Sequence, residues 1–193
     1  MSRRSIPAVV AIVLTAAAGA AGCDTDSAAP VWVAPSSAPA KPANSADARP
    51  AQVVSACGLL SSATVVKLLG GTAASKISGR EGAAEKGKNG AVWRRCLFGR
   101  DGRDAFLLDV GVLPGRAGTV KETVDAFAEN AVTGAKRIDG LGADALGYLD
   151  SNARVVVSVV PFRDELRVVL FTAPKIVPQN HLEKVVHHVV SQI

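Results

Sequence analysis

The chain reads as an α+β protein, a single domain with a mainly antiparallel sheet packed by about three helices, preceded by a signal peptide and a disordered linker. Three observations predict this. Residues 91–99 and 104–113, and again 154–161 and 166–172, are apolar stretches joined by short polar turns, the signature of antiparallel hairpins. Stretches starting at Thr119 and near Pro178 repeat apolar side chains at helical spacing. From residue 53 onward the length suits one hydrophobic core, and no internal repeat breaks it.

Arg3 and Arg4 give a short positive start, residues 6–18 an apolar stretch, and Ala20-Ala21-Gly22-Cys23 small residues up to a cysteine. That order is a secretory signal with a small-residue cleavage site. A cysteine just after such a site resembles a bacterial lipobox, in which the thiol is diacylated and cleavage exposes it as the new N-terminus. Residues 1–22 are thus expected to be removed and Cys23 to carry lipid, leaving the domain anchored at the extracytoplasmic face of the cell membrane. The alternative is an uncleaved anchor over residues 5–22. A spanning helix wants about 20 strongly apolar residues, and Pro7, Thr15, Gly19 and the alanines make this one weak and short. Ala20 stands where a lipobox most often has leucine. Arg3-Arg4 also resembles a twin-arginine signal, although Ile6-Pro7 stands where that motif prefers Phe-Leu.

Residues 23–52 are rich in alanine, proline and serine, so they bury too little apolar surface to fold and read as an extended stalk. Trp32 is unusual there and suits a lipid interface, or is incidental. Of three cysteines, assigning Cys23 to lipid leaves Cys57 and Cys96 as an even pair in an oxidising compartment, hence an expected disulfide. Two buried thiols that never meet are the alternative. Neither lies in a Cys-x-x-Cys spacing or near a histidine in sequence, which disfavours redox and zinc chemistry.

Within residues 53–193, Ser61 or Ser62 can cap a short helix carrying Val65, Val66, Leu68 and Leu69, which Gly70-Gly71 ends. In the strand over 104–113, Phe106, Leu108, Val110 and Val112 alternate onto one face. Thr119 and Glu122 form a capping box for a helix to about Val132, burying Val120, Val124, Phe127 and Ala131. Strands 154–161 and 166–172 are apolar at nearly every residue, as central strands covered on both faces would be. The last helix buries Leu182, Val185, Val186, Val189, Val190 and Ile193.

Cys57-Gly58-Leu59-Leu60 leading into residues 62–70, Arg95-Cys96-Leu97-Phe98, and Gly140-Leu141-Gly142-Ala143-Asp144-Ala145 together resemble the actinobacterial lipoprotein family called domain of unknown function 3558. The similarity covers essentially the whole mature chain, with Leu97 where a tryptophan or tyrosine is often found. It implies an extracytoplasmic lipoprotein with a disulfide and a small α+β domain similar to PsbP-like folds. It implies no established activity and no catalytic residues.

The search for chemistry is largely negative. The glycines of 140–145 fit a dinucleotide fingerprint formally, but a strand must precede and a long helix follow; strand-like Tyr148-Leu149 follows instead, so a tight turn entering a strand is expected. His181, His187 and His188 share the last helix without the i to i+4 spacing of paired metal ligands, and read as a solvated or helix-end set. No nucleophile elbow is present. No catalytic residue, metal or cofactor is assigned, and a non-enzymatic domain is expected that binds a ligand or partner. The alternatives are a sensor or accessory subunit acting by protein contact, and a hydrolase.

Charge is the one uneven feature. Residues 76–103 hold eight bases against three acids, while the mature chain as a whole carries 20 Lys and Arg against 17 Asp and Glu. Gly79, Gly82, Gly87 and Gly90 predict a mobile loop, and Arg80, Lys86, Lys88, Arg94 and Arg95 a basic contact surface for anionic lipid or wall polymer. The alternative is a loop that is merely soluble. Nucleic acid is disfavoured by the address and by the few aromatics available for stacking.

Overall fold

The computed structural model describes residues 52–72, 75–100 and 102–193; Cys23 and the signal and linker readings lie outside them. The first helix, α1 (Ser62–Leu68), begins at Ser61, whose Oγ accepts from Thr64 N–H at 3.1 Å. Strands β1 (Ser78–Glu81) and β2 (Glu85–Lys86) follow, then β3 (Val92–Arg100), β4 (Arg103–Leu113), α2 (Val120–Glu129), β5 (Thr133–Arg137), β6 (Asp144–Asp150), β7 (Ala153–Phe162), β8 (Glu165–Pro174) and α3 (Gln179–Val190). Among the described residues all strand pairings are antiparallel, in the order β1-β3-β4-β8-β7-β6-β5, with β2 also paired to β3. This is the α+β class that the sequence predicts.

The continuous apolar runs of β7 and β8 follow from their central place, because successive side chains enter opposite layers. Val156, Val160, Val169, Phe171 and Ala173 pack with Leu182, Val185, Val186 and Val189 of α3 and with Val65 of α1. Val155, Val157, Val159, Leu166 and Val168 pack on the other face with Val124 of α2. Phe106, Leu108, Val110 and Val112 of β4 share the α3 face, as their alternation predicts.

Two local expectations are corrected. The helix expected to run to Val132 ends at Glu129, and β5 begins at Thr133. The Thr119–Glu122 capping box does not form: Thr119 makes no side-chain cap, and its hydroxyl donates to the Arg116 carbonyl at 3.0 Å while accepting from Arg116 Nε at 3.1 Å. A nearby carbonyl has displaced the helix N–H as partner.

The 140–145 glycines form the expected turn into β6. Gly140 and Gly142 have φ of +73° and +70°, and a Cβ on Gly142 would lie 2.3 Å from Ser158 Oγ. Ser158 is fully buried and donates to the Leu141 carbonyl at 3.0 Å, pinning the turn to β7.

Candidate functional site

The region expected as a mobile basic loop is instead the edge of the sheet. Arg80 lies in β1 and Lys86 in β2, while Lys88 opens the short 3-10 turn Lys88–Gly90 before β3. The glycines permit close approach: a Cβ on Gly79 would lie 3.2 Å from Phe98, and one on Gly82 3.2 Å from Arg95. Small residues let the edge lie flat against large β3 side chains.

Strand geometry also separates the five basic residues. Arg94 shares the α3 face with Cys96, whereas Arg95 shares the α2 face with Trp93. Lys86 pairs with Val92 and Arg80 with Leu97, five residues or about 17 Å apart along β3. Arg80 meets Asp104 at 2.9 Å, and Arg94 Nε donates to the Val53 carbonyl at 2.7 Å. Arg95 Nε donates to Asp109 Oδ1 at 2.7 Å, with Glu85 at 3.5 Å. The hydrogen bond to Asp109 raises the Arg95 pKa above its ordinary value, against the opposing effect of partial burial. Among the described residues Lys86 and Lys88 alone of the five have no such partner, and both are exposed.

Cys57 and Cys96 form the expected disulfide, with Cα atoms 5.0 Å apart. It fastens the turn before α1 to buried β3, and Glu81 fastens the same turn from β1. The Glu81 carboxylate accepts from Ser55 Oγ at 2.8 Å and from the N–H groups of Ala56 and Cys57 at 2.9 Å. Partial burial acts to raise its pKa, but the Cys57 and Ala56 N–H groups, the Ser55 hydroxyl and the Arg94 charge outweigh it and hold the carboxyl below its ordinary value. Cys57, Cys96 and Glu81 offer ligand atoms within 4.8 Å of one another, but the two sulfurs are joined.

A folded-state pKa below the unfolded one means that Glu81 stabilises the fold above the ordinary glutamate pKa of about 4.3. That contribution is lost as the pH falls through the lower folded value. Glu81→Gln is therefore expected to lower the unfolding temperature at neutral pH, with the gap to the parent closing in acid. Thermal melts across that range check this, and a pH-independent gap would refute it.

The histidines divide. His187 and His188 lie in the last turn of α3, as expected of a helix-end set. His181 lies in its first turn, where Nδ1 donates to the Leu69 carbonyl at 3.0 Å and so caps the end of α1. Among the described residues, no hydrogen bond joins a histidine ring to a carboxylate or a serine hydroxyl; the Ser191 hydroxyl donates to the His188 backbone carbonyl at 2.7 Å.

Two concavities border helices α1 and α3. A groove of about 730 Å³ runs beside α1, walled by Ala63, Val66 and Ile77, with the hydroxyls of Ser62, Thr72 and Ser75 and the two cations Lys67 and Lys76. A cleft of about 550 Å³ lies along α3 and includes His187, His188, Glu183 and Asp139. The groove escapes sequence reading because α1 has only seven residues, too few to show a second apolar face. No described helix is long and apolar enough to cross a membrane. No family model, curated protein or solved structure matches the chain.

Proposed function

We propose that the chain is a lipid-anchored extracytoplasmic lipoprotein of the resembled family, whose domain binds a small amphipathic ligand without catalysing a reaction. The observation that carries this reading is the groove beside α1. Its volume of about 730 Å³ falls within the range of ligand sites, and apolar walls with a few polar groups are their usual lining. Lys67 and Lys76 favour an anionic end on a ligand whose apolar body lies along Ala63, Val66 and Ile77. Diacylation of Cys23, after removal of residues 1–22, would hold this groove close to a source of such molecules.

Native mass spectrometry of the chain purified from membranes is expected to show a co-purified amphiphile. Ala63→Trp, which fills the groove from an exposed position, should remove that mass while leaving the unfolding temperature unchanged. Equal occupancy of variant and parent would sink the groove as the ligand site. The anchor is tested separately: Cys23→Ser is expected to abolish incorporation of labelled fatty acid, and equal labelling would sink it.

A further inference from the structure

A smaller cavity lies on the α3 face at the β5 side of the sheet. Its volume is about 200 Å³, and Arg154, Lys136, Gln179, Gly134 and Gly147 line it together with Tyr148 and Leu149. Register places the two cations on the same face: Lys136 pairs with Gly147, Gly147 with Val156, and Arg154 lies two residues from Val156 on β7. No carboxylate is among the described lining residues. Glu183, one turn along α3, accepts from Gln179 Nε2 at 2.9 Å and stays outside the lining.

Arg154 differs from four other arginines of the sheet. Arg80, Arg95, Arg137 and Arg167 each meet a carboxylate. Among the described residues the half-buried Arg154 makes one long hydrogen bond, Nη2 to the Lys175 carbonyl at 3.4 Å, and its buried Nε–H has no acceptor. A guanidinium Nε–H withdrawn from water without an acceptor is unfavourable, and such a group calls for an explanation. We propose that this cavity binds a phosphate-sized oxyanion, held by Arg154 and Lys136. The guanidinium fork suits such an anion, and Lys136 adds a second positive charge. At about 30 Å³ per water, the cavity matches roughly seven waters, enough for a phosphoryl group with a small substituent and too small for an acyl chain. The site is therefore independent of the groove beside α1.

The test is calorimetric titration of the chain from Cys23 onward, in non-ionic detergent, with sodium phosphate and separately with glycerol phosphate at constant ionic strength. Saturable binding is expected, weakened about tenfold or more by Arg154→Gln and by Lys136→Gln, and unchanged by Lys86→Gln. Lys136 is exposed on the edge strand, so its variant stays folded and readable even if Arg154→Gln does not. Tighter binding of glycerol phosphate supports the site and points to a lipid headgroup or other phosphomonoester, whereas tighter binding of inorganic phosphate supports it and points to the free anion. Absence of saturation with both, or affinity undiminished in Lys136→Gln, overturns the proposal.

Discussion

Arg167→Ala is expected to destabilise the domain by about 3–5 kcal/mol, the range for breaking a buried ion pair by removing one partner. Arg167 is fully buried in β8, between Val112 of β4 and Val160 of β7. Its Nε donates to Glu165 Oε1 at 2.8 Å, and the guanidinium carbon lies 3.7 Å from the centre of the Phe162 ring. Alanine leaves Glu165 without this charge partner, leaves Phe162 with only the more distant Arg163 over its ring at 5.1 Å, and opens a cavity in the α3 layer. Arg167→Met should lose clearly less, because an apolar chain of similar length fills the space and needs no acceptor. Arg167→Lys should fall between, keeping the charge while losing the flat, forked donor set. Urea unfolding at neutral pH orders the three variants, and an alanine variant within 1 kcal/mol of the parent would mean that water reaches this position freely.

The buried strands and the last helix are legible in the sequence and the exposed sheet edge is not, for one physical reason. Sequence periodicity reports which side chains leave water. Strands β7 and β8 are covered on both faces and α3 on one, so their apolar patterns identified them. Strand β1 is exposed at all four residues and β2 at both, and strands of that kind carry no alternation to read. Their glycines resembled loop punctuation, although Gly79 and Gly82 admit Phe98 and Arg95 into contact with the edge. The charge count had the same weakness, since neighbouring residues such as Arg94 and Arg95 turn to opposite faces of a strand. The Gly140–Gly142 turn could be read because backbone conformation, not burial, dictates its residues. The Arg154 cavity depends on segments that meet only after the sheet is assembled, which no local pattern encodes, whereas the groove is lined by the single stretch 62–77, whose helix is too short to show a second apolar face.

Opening the Cys57–Cys96 disulfide is expected to cost about 4 kcal/mol, the chain-entropy value for a closed loop of this length; the cysteines are 39 residues apart. The loss should be felt first before α1. Val53, Ala56 and Leu60 are buried there in the α3-side core, and the segment holding them is fixed to the sheet by the disulfide, by Glu81 and by the Arg94 bond to Val53. Because the disulfide and Glu81 hold the same turn, their effects should not add. Cys57→Ser combined with Glu81→Gln is expected to lose less than the sum of the two single variants, since once the turn is released neither restraint has a fixed partner. Mass spectrometry with and without reductant first establishes that the bond is closed, by a difference of two protons, and urea unfolding of the four proteins then gives the coupling. Strict additivity would show that the disulfide and the Glu81 clamp stabilise separate parts of the domain, contrary to their shared attachment at residues 55–57.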